Sequence, residues 1–268
     1  MITIPTIVIV LFAIYLFLVA PKNKKEMKKF KKVMYAHRGL HNEERAENSM
    51  SAFKAAMDGG WGIELDIRLS KDGRLVVFHD DTLDRVCGRE GKVVDFTAEE
   101  LATFKLNGTE DGIPLFSDVL ALVDGNVPLL VEIKEDPGNN AVSLAACEML
   151  KGYSGEFIVE SFNPLSLKTV KENAPEFVCG ILSQRYYEYE QYRKPLYFAL
   201  QSLLTNCLCR PAFIAYDHRH AKSFALRFVR GFFDVPTLAW TVRSPEEEII
   251  ARKNGFDGII FENYIPEI

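Results

Sequence analysis

From residue 33 onward, short apolar runs alternate with stretches of helical periodicity, and this alternation limits the folds that are open to the chain. Strands separated by helices favour parallel strand–helix–strand units. About eight such units over residues 33–268 predict an α/β fold, a (β/α)8 TIM barrel. The predicted strands are 33–36, 63–69, 75–78 (an extra strand paired with the second), 129–134, 157–162, 178–182, 213–217, 237–242 and 258–261. The predicted helices include 49–59, 98–104, 117–123, 141–150, 165–173, 189–208, 221–229 and 245–254.

The run 63–69 has aliphatic residues at odd positions and charged residues at even positions. Alternate side chains of a strand point to opposite faces. In a barrel the aliphatic face would lie under the helices, and Glu64 and Asp66 would point into the lumen, where charges need partners. A bound metal ion would supply one, although a solvent-facing antiparallel strand gives the same alternation. The run 129–134 repeats the pattern, with Glu132 and Lys134 on one face.

Glu64, Asp66 and Glu132 form a candidate metal site. Three carboxylates without a nearby cysteine select a hard cation, Mg²⁺ or Ca²⁺, rather than zinc. Such a cation would polarise a phosphoryl oxygen and neutralise the charge that develops on it. A Glu-x-Asp pair alone is a weak signal, and its weight comes from the histidines on either side of it in the sequence.

His37 and His79 each follow an apolar run, at the strand ends where barrel enzymes place their chemistry. Two imidazoles divide the work of general base and general acid between them. Arg38 offers a planar fork that matches phosphate geometry. Lys134 would add a second positive charge at the phosphate, or it would pair with the neighbouring carboxylates. The remaining histidines are expected to be surface or structural residues: His41, His218 and His220.

Residues 2–20 carry no charge and are mostly Ile, Val, Leu and Phe. This is about the minimum length for a membrane-spanning helix, so residues 1–20 are predicted to be a single-pass transmembrane anchor, with a cleaved signal peptide as the alternative. Seven lysines follow in a polybasic linker, residues 21–32. Because basic flanks tend to stay in the cytoplasm, the catalytic domain, residues 33–268, is expected to be cytoplasmic. The lysines would also suit anionic headgroups, or form only a solvated flank.

The charge balance argues against one class of partner. The chain has 37 Asp and Glu against 32 Lys and Arg, and seven of the lysines lie in the linker. The domain itself is therefore acidic, which argues against nucleic acid and suits a site that collects a divalent cation. The five cysteines show no zinc spacing and require no disulfide. The sequence carries no indication of oligomeric state.

Seven short motifs follow one another between residues 33 and 261. They are His37-Arg38-Gly39, Ala46-Glu47-Asn48-Ser49, Glu64-x-Asp66, His79-Asp80, Glu132-x-Lys134, Ser161-Phe162 and Trp240-x-Val242. The series resembles that of the glycerophosphodiester phosphodiesterase family, which the runs 81–85 and 113–115 also match. The resemblance implies a TIM-barrel hydrolase that converts glycerophosphodiesters to glycerol 3-phosphate and an alcohol.

The resemblance also implies a role for each site residue. His37 and His79 would be the acid/base pair, Glu64, Asp66 and Glu132 the ligands of one divalent cation, and Arg38 and Lys134 the phosphate-binding cations. A glycerol hydroxyl beside the phosphate would attack first and give a cyclic phosphate that water then opens. Phe162 and Trp240 would form apolar walls of the substrate pocket, and barrel packing is an equal alternative for them.

Three departures from the family pattern bear on these roles. Ala46 and Ser49 replace the outer residues of Pro-Glu-Asn-Thr, although Asn48 or Ser49 still suits a helix cap, and Glu47 would support the metal site. Residues 261–264 stand where the family has Thr-Asp-x-Pro, which leaves the role of Glu262 open. Too few residues follow the last predicted strand for an eighth helix, so that gap stays open or the lysine-rich segment covers it.

Three other functions are compatible with these residues. The first is a lysophospholipase D that acts on membrane lysophospholipids, and the second is a different barrel phosphodiesterase, such as a phospholipase C or D. The third is a non-catalytic barrel that binds phosphate or lipid headgroups, since a fold alone does not prove activity. The presence of both histidines and all three carboxylates argues against the third.

Overall fold

Eight parallel strands close into a barrel, because the first strand pairs with the second and also with the last. The computed structural model describes residues 3–22, 25–136 and 138–267. Within these ranges the strands are β1 (Met34–Ala36), β2 (Gly62–Leu69), β3 (Leu75–Val77), β4 (Leu129–Ile133), β5 (Phe157–Ser161), β6 (Cys179–Ser183), β7 (Phe213–Asp217), β8 (Thr237–Val242) and β9 (Gly258–Phe261). β3 pairs antiparallel with β2, as expected of the extra strand. The predicted TIM barrel is confirmed.

Helices connect the strands and surround the barrel. They are α1 (Ile4–Val19), α2 (Met50–Asp58), α3 (Asp84–Cys87), α4 (Ala98–Ala102), α5 (Phe116–Val123), α6 (Ala141–Lys151), α7 (Pro164–Asn173), α8 (Pro195–Gln201), α9 (Asn206–Cys209), α10 (Phe224–Phe233) and α11 (Pro245–Lys253). Several begin where a polar side chain accepts a hydrogen bond from a backbone N–H of the first turn. Ser49, Asn163, Ser223 and Ser244 do this for α2, α7, α10 and α11.

The alternation of side chains along the strands sorts the residues of β2 as predicted. Ile63, Leu65 and Ile67 are buried in the core between strands and helices. Glu64 and Asp66 alternate with them and therefore lie on the lumen side of the same strand. The register also sets the height of the acidic residues, since Asp66 on β2 is level with Glu132 on β4.

The lysine-rich segment closes the amino-terminal end of the barrel. Residues 25–30 form a 3₁₀ helix whose Met27 and Phe30 are each only 1% exposed and pack on lumen residues such as Tyr35. The segment therefore does not fill the gap beside β9. Residues 262–267 form no helix there, and the rings of Trp61 and Tyr264 lie against Phe261, with centroids 5.4 and 5.8 Å away.

The single helix predicted over 189–208 is wrong. The segment consists instead of a 3₁₀ turn at Glu190–Tyr192 and the short helices α8 and α9. Pro195 has no N–H to donate and disfavours helical backbone at the residue before it. Lys194 is accordingly extended, and α8 starts at the proline.

The membrane-spanning helix predicted over residues 1–20 is not supported. α1 has 16 residues, which makes it about 24 Å long, whereas the hydrocarbon core of a bilayer is about 30 Å thick. Among the residues that the structure describes, no helix combines the length and the apolar character needed to cross a membrane. Membrane anchoring through this helix is likewise not supported. Residues 1–2 of the predicted span, residues 23–24 of the linker and residues 137 and 268 of the predicted catalytic domain lie outside the described residues.

The carboxyl-terminal end of α1 packs on the barrel. Val19 is fully buried, and its carbonyl oxygen accepts a hydrogen bond of 3.0 Å from Asn206 Nδ2. Arg210 donates to the carbonyl oxygen of Phe17 at 2.6 Å. The Tyr15 ring lies 5.1 Å from that of Phe228 on α10. These contacts fix the end of α1 at the outer side of β6 and β7.

Candidate active site

Three neighbouring strands carry four buried carboxylates on the lumen side of the barrel. Glu64 and Asp66 come from β2, Glu132 from β4 and Glu160 from β5, and each is at most 7% exposed. Glu132 and Glu160 occupy paired register positions. One carboxylate oxygen from each of the three glutamates lies within 4.8 Å of the others. The structure therefore brings Glu64 and Glu132 together as the sequence predicted, and adds Glu160.

Asp66 lies beside this group and contacts the site's cations. Its Oδ2 accepts a hydrogen bond from Asn48 Nδ2 at 2.8 Å and lies 3.5 Å from Arg38 Nε. Its Oδ1 is 3.2 Å from Lys134 Nζ. Asp66 thus links the predicted metal ligands to the predicted phosphate-binding residues.

The surroundings shift the pKa values of the four carboxylates in different directions. Burial, reinforced by the neighbouring carboxylates, raises the pKa of Glu64 and Glu160 well above the ordinary value of 4.5. Burial also raises the pKa of Glu132, against the opposing charge of Lys134. Burial would do the same to Asp66, but the charges of Lys134, His79 and Arg38 hold its pKa well below its usual range. If all three glutamates are ionised, they therefore carry more negative charge than the neighbouring protein groups balance.

The donor set fits a divalent metal ion of the hard type. All its candidate ligands are carboxylate oxygens, the kind that Mg²⁺ and Ca²⁺ prefer. Glu160 Oε2 is buried and has no hydrogen-bond partner within the described part of the chain. A cation among Glu64, Glu132 and Glu160 would relieve both the unpaired oxygen and the mutual repulsion of the carboxylates.

His37 lies at the carboxyl end of β1 and is held by the carboxyl end of β9. Its Nδ1 is 3.0 Å from Glu262 Oε2, and its backbone N–H donates to the carbonyl oxygen of Phe261. Its Nε2 lies 4.0 Å from Glu64 Oε2. Burial lowers the pKa of His37 to about 4. An acceptor at Nδ1 fixes the tautomer that leaves the Nε2 lone pair directed at the site.

Glu262 is a site residue whose role the sequence left open. The hydrogen bond from His37 and the charge of Arg243, whose Nη2 is 3.1 Å away, outweigh burial and lower the pKa of Glu262 to about 2. His41 Nε2 is 3.8 Å from Glu262 Oε1, so His41 borders the site rather than lying apart from it. The only sequence signal was position, since Glu262 directly follows a strand.

His79 is held in a similar way by its neighbour in sequence. Its Nδ1 is 2.5 Å from Asp80 Oδ1. Arg85 donates to Asp80 Oδ2 at 2.6 Å and to Glu47 at 2.7 Å, so a chain of charged hydrogen bonds supports the imidazole. Each predicted acid/base histidine thus has a carboxylate at Nδ1.

Arg38 and Lys134 place two positive charges beside the carboxylates. Arg38 donates from its backbone N–H to Glu64 at 2.8 Å and from Nη1 to Glu47 at 2.6 Å. Lys134 Nζ is 2.7 Å from Glu132 Oε1. Burial alone would lower the pKa of both cations, but the surrounding carboxylates raise it, which keeps them charged.

The turn after β1 depends on a glycine at position 39. Gly39 has a φ of +79°, which favours glycine, and a Cβ there would lie 2.9 Å from the Ala52 Cβ of α2. Arg38 itself has a φ of 55°. This tight turn directs the backbone N–H of Arg38 to Glu64.

These groups surround one cavity of about 180 Å³. His37, Arg38, His79 and Lys134 line it together with the three glutamates, whereas Asp66 does not. Phe162 and Trp240 form an apolar wall, with their rings edge to face and 5.4 Å apart. The same two rings pack on the inner core, so pocket lining and barrel packing are both fulfilled.

The other two histidines lie next to carboxylates outside this cavity. His218 Nε2 is 3.5 Å from Glu247, and His220 Nε2 is 2.7 Å from Glu188. Their structural interpretation agrees with these contacts.

A closed parallel barrel with histidines, cations and buried carboxylates around one cavity at its carboxyl-terminal rim has the layout of a barrel hydrolase of phosphoric esters. The model of the Glycerophosphoryl diester phosphodiesterase family matches residues 37–265. The chain therefore belongs to that family and is an enzyme, a phosphoric diester hydrolase that acts on glycerophosphodiesters. A non-catalytic barrel is accordingly excluded as its interpretation.

Curated relatives match part of the chain. A glycerophosphodiester phosphodiesterase of Caldanaerobacter subterraneus is 40% identical over 166 residues, which cover 58% of this chain and 68% of the relative. The human lysophospholipase D GDPD1 is 28% identical over 149 residues, 51% of this chain and 46% of the relative. The chain thus spans less than half of that human protein.

Solved structures match most of the barrel. The glycerophosphodiester phosphodiesterase of Thermotoga maritima has a TM-score of 0.66 at 27% identity, covering 85% of this chain and 94% of that one. An Oleispira antarctica phosphodiesterase, solved with the product sn-glycerol-3-phosphate, has a TM-score of 0.72 at 20% identity, covering 87% and 94%. The second likeness concerns the fold alone.

Proposed function

We propose that this enzyme is a metal-dependent glycerophosphodiester phosphodiesterase that releases glycerol 3-phosphate and an alcohol by two-histidine acid/base catalysis. The observation that carries the proposal is the convergence of His37 and His79 on one small cavity, each with a carboxylate at Nδ1. Three buried glutamates and the cations Arg38 and Lys134 complete the lining. This combination supplies proton transfer and charge neutralisation at the same place.

Glu64, Asp66 and Glu132 are the proposed ligands of one divalent cation. When bound, the cation would polarise a phosphoryl oxygen and neutralise the charge that accumulates on it. Arg38 and Lys134 would orient the remaining phosphate oxygens, since guanidinium and ammonium groups both bind phosphate strongly. Asp66 lies within ion-pair distance of both Arg38 and Lys134, and it would hold these two side chains in place beside the phosphate.

The two histidines would move protons on opposite sides of the phosphorus. One imidazole takes the proton of a glycerol hydroxyl as that oxygen forms a bond to phosphorus. The other protonates the alcohol oxygen as its bond to phosphorus breaks. Water then opens the cyclic phosphate with the proton transfers reversed, which gives glycerol 3-phosphate. An internal nucleophile avoids most of the entropic cost of bringing a second molecule to the phosphorus.

A panel of glycerophosphodiesters with different alcohols, assayed with Mg²⁺ and with Ca²⁺, tests this function. We expect glycerol 3-phosphate release from at least one substrate, with the oxygen of isotope-labelled water incorporated into its phosphate group. Label in the alcohol would indicate cleavage of a different bond, as would release of glycerol instead of glycerol 3-phosphate. Either result, or no release with either cation, would refute the proposal.

A lysophospholipid is the second candidate substrate, and a larger cavity favours it. This cavity has a volume of about 740 Å³ and is lined by the aromatic Phe198 and Phe224 and by the cationic Arg185 and Lys222. Arg185 follows β6 and Phe224 starts the helix after β7, so part of the cavity lining comes from segments that follow the carboxyl ends of two barrel strands. Apolar rings beside cations suit an acyl chain with a charged head.

Product analysis separates the two substrates. We expect choline release from glycerophosphocholine if the first function is correct, and from lysophosphatidylcholine if the second is correct. A Phe224→Trp variant, which narrows the larger cavity, should lower turnover of the lysophospholipid only. The domain limits at residues 20 and 32 and the cytoplasmic placement of the catalytic domain stay predictions.

A further inference from the structure

Glu160 is a fourth carboxylate at the site, and no family motif in the sequence accounts for it. It is 1% exposed on β5, next to the Ser161-Phe162 motif. It lines the catalytic cavity together with Glu64 and Glu132, and its paired position on β4 is Glu132. The strand geometry therefore directs it at the same space as the two predicted ligands.

The protein gives Glu160 no adequate counter-charge. Its Oε2 is buried without a hydrogen-bond partner in the described ranges. Lys134 Nζ is engaged with Glu132 at 2.7 Å and with Asp66 at 3.2 Å. Arg38 Nη1 is engaged with Glu47 at 2.6 Å. A buried carboxylate that lacks a partner is costly to keep ionised, so a cation beside Glu160 would stabilise its charged form.

We propose that Glu160 is an additional ligand of the divalent cation and that, with Glu64 and Glu132, it makes this site selective for Ca²⁺ over Mg²⁺. The proposal rests on the metal-dependent function proposed above. The three glutamates come from three adjacent strands, and their nearest oxygens lie within 4.8 Å of one another. Two oxygens that bind one Ca²⁺ at about 2.4 Å each are separated by no more than about 4.8 Å.

The number of carboxylate ligands is what would make the site prefer Ca²⁺ to Mg²⁺. Ca²⁺ takes six to eight oxygen ligands in flexible geometry, including bidentate carboxylates. Mg²⁺ keeps several waters and is usually bound through only one or two carboxylates. Here three glutamates converge on one position, with Asp66 beside them, which is more carboxylates than Mg²⁺ usually takes. The number and the charge of these ligands both favour the larger ion.

Calorimetric titration of the full chain with CaCl₂ and with MgCl₂ tests the proposal. We expect the wild type to bind Ca²⁺ more tightly than Mg²⁺. Glu160→Gln should raise the Kd for Ca²⁺ by at least about tenfold and the Kd for Mg²⁺ by less than about threefold, so the preference shrinks. Glu160→Asp should fall between the two proteins. Glu156→Gln is the matched control, because Glu156 directly precedes β5 and its partner is Lys29 at the surface.

A folded Glu160→Gln that binds Ca²⁺ as tightly as the wild type would overturn the proposal, and so would a wild type that prefers Mg²⁺. Circular dichroism establishes folding, and if the glutamine variant does not fold, Glu160→Asp decides by the same comparison. The two proposals fail separately. If the wild type hydrolyses a glycerophosphodiester and Glu160→Gln binds Ca²⁺ as tightly as the wild type, only the role of Glu160 is refuted. Weakened Ca²⁺ binding in a chain that hydrolyses no glycerophosphodiester supports that role and removes the proposed function.

Discussion

The two ends of the barrel are closed by opposite chemistry. At the amino-terminal end, Met27 and Phe30 fill the lumen with apolar side chains that are 1% exposed. At the carboxyl-terminal end, buried carboxylates surround a cavity of about 180 Å³ and face one another. Apolar burial stabilises the first end, whereas like charges destabilise the second until a ligand compensates them. Stability and function therefore depend on different halves of the same lumen.

Removal of divalent metal should have the largest effect. We expect exhaustive chelation with EDTA to abolish release of glycerol 3-phosphate and excess Ca²⁺ or Mg²⁺ to restore it, because the site then lacks the divalent charge proposed to polarise the phosphoryl oxygen. Ca²⁺ should also raise the Tm of the chelated protein, since a ligand that binds only the folded state stabilises it. Full turnover after chelation would show that the rim works without metal.

Loss of either histidine should come next. His37→Ala and His79→Ala should each lower kcat by about two to four orders of magnitude, the usual contribution of an acid/base group. The Tm should change little, because neither side chain fills the core. Near-normal turnover in either variant would contradict its assigned role. Replacement of His218, which pairs with Glu247 outside the cavity, is the control.

A substitution at the amino-terminal end of the barrel should lower stability and leave turnover nearly unchanged. Phe30→Ala should lower the free energy of unfolding by about 3–5 kcal/mol, because it leaves a cavity in the inner core. Turnover per folded molecule should stay close to that of the wild type. Phe224→Ala, at a side chain that is 74% exposed, should have little effect on stability. Chemical denaturation measures both variants, and an equal loss in the two would contradict the importance of the plug formed by Met27 and Phe30.

Glu262→Gln should have a smaller, pH-dependent effect. Glu262→Gln weakens the hydrogen bond that orients His37 and should lower kcat by about ten- to a hundredfold. This is the rate change that corresponds to the usual energy of a hydrogen bond to a charged group. The pKa of Glu262 falls from 4.5 to about 2 on folding, so its contribution to stability is present above about pH 4.5 and is lost as the pH falls through 2.

The wild type should therefore have a higher free energy of unfolding than Glu262→Gln above about pH 4.5, and this difference should shrink as the pH falls from 4.5 to 2. A difference between the wild type and Glu262→Gln that does not vary with pH would contradict the ion pairing of Glu262. Glu262→Asp, which keeps the charge, should recover part of the lost turnover.

Local patterns in the sequence predicted most of the barrel. The alternation in 63–69 identified both faces of β2, because side-chain period is a property of the strand itself. The helix predicted over 189–208 failed where apolar periodicity was given more weight than Pro195. The membrane span is not supported because α1 has only 16 residues in the described part of the chain, and an uncharged composition does not show where a helix begins and ends.

The sequence predicted the site residues that belong to short motifs, and it assigned no role to Glu160 or Glu262. Glu160 has the same parity as Ile158 within an apolar run, but only the register of β4 and β5 shows that it is level with Glu132. Glu262 is 225 residues from His37 in the chain, and only the pairing of β1 with β9 brings them together. Long-range neighbours of this kind leave no local signal in one sequence.

The junction of β1 and β9 orders events during folding. His37 belongs to the first strand to leave the ribosome, and Glu262 follows the last. A growing chain can assemble most of its hydrophobic interior before the carboxylate that orients this imidazole has been synthesised. The imidazole of His37 therefore acquires its orienting carboxylate only after β9 has been made.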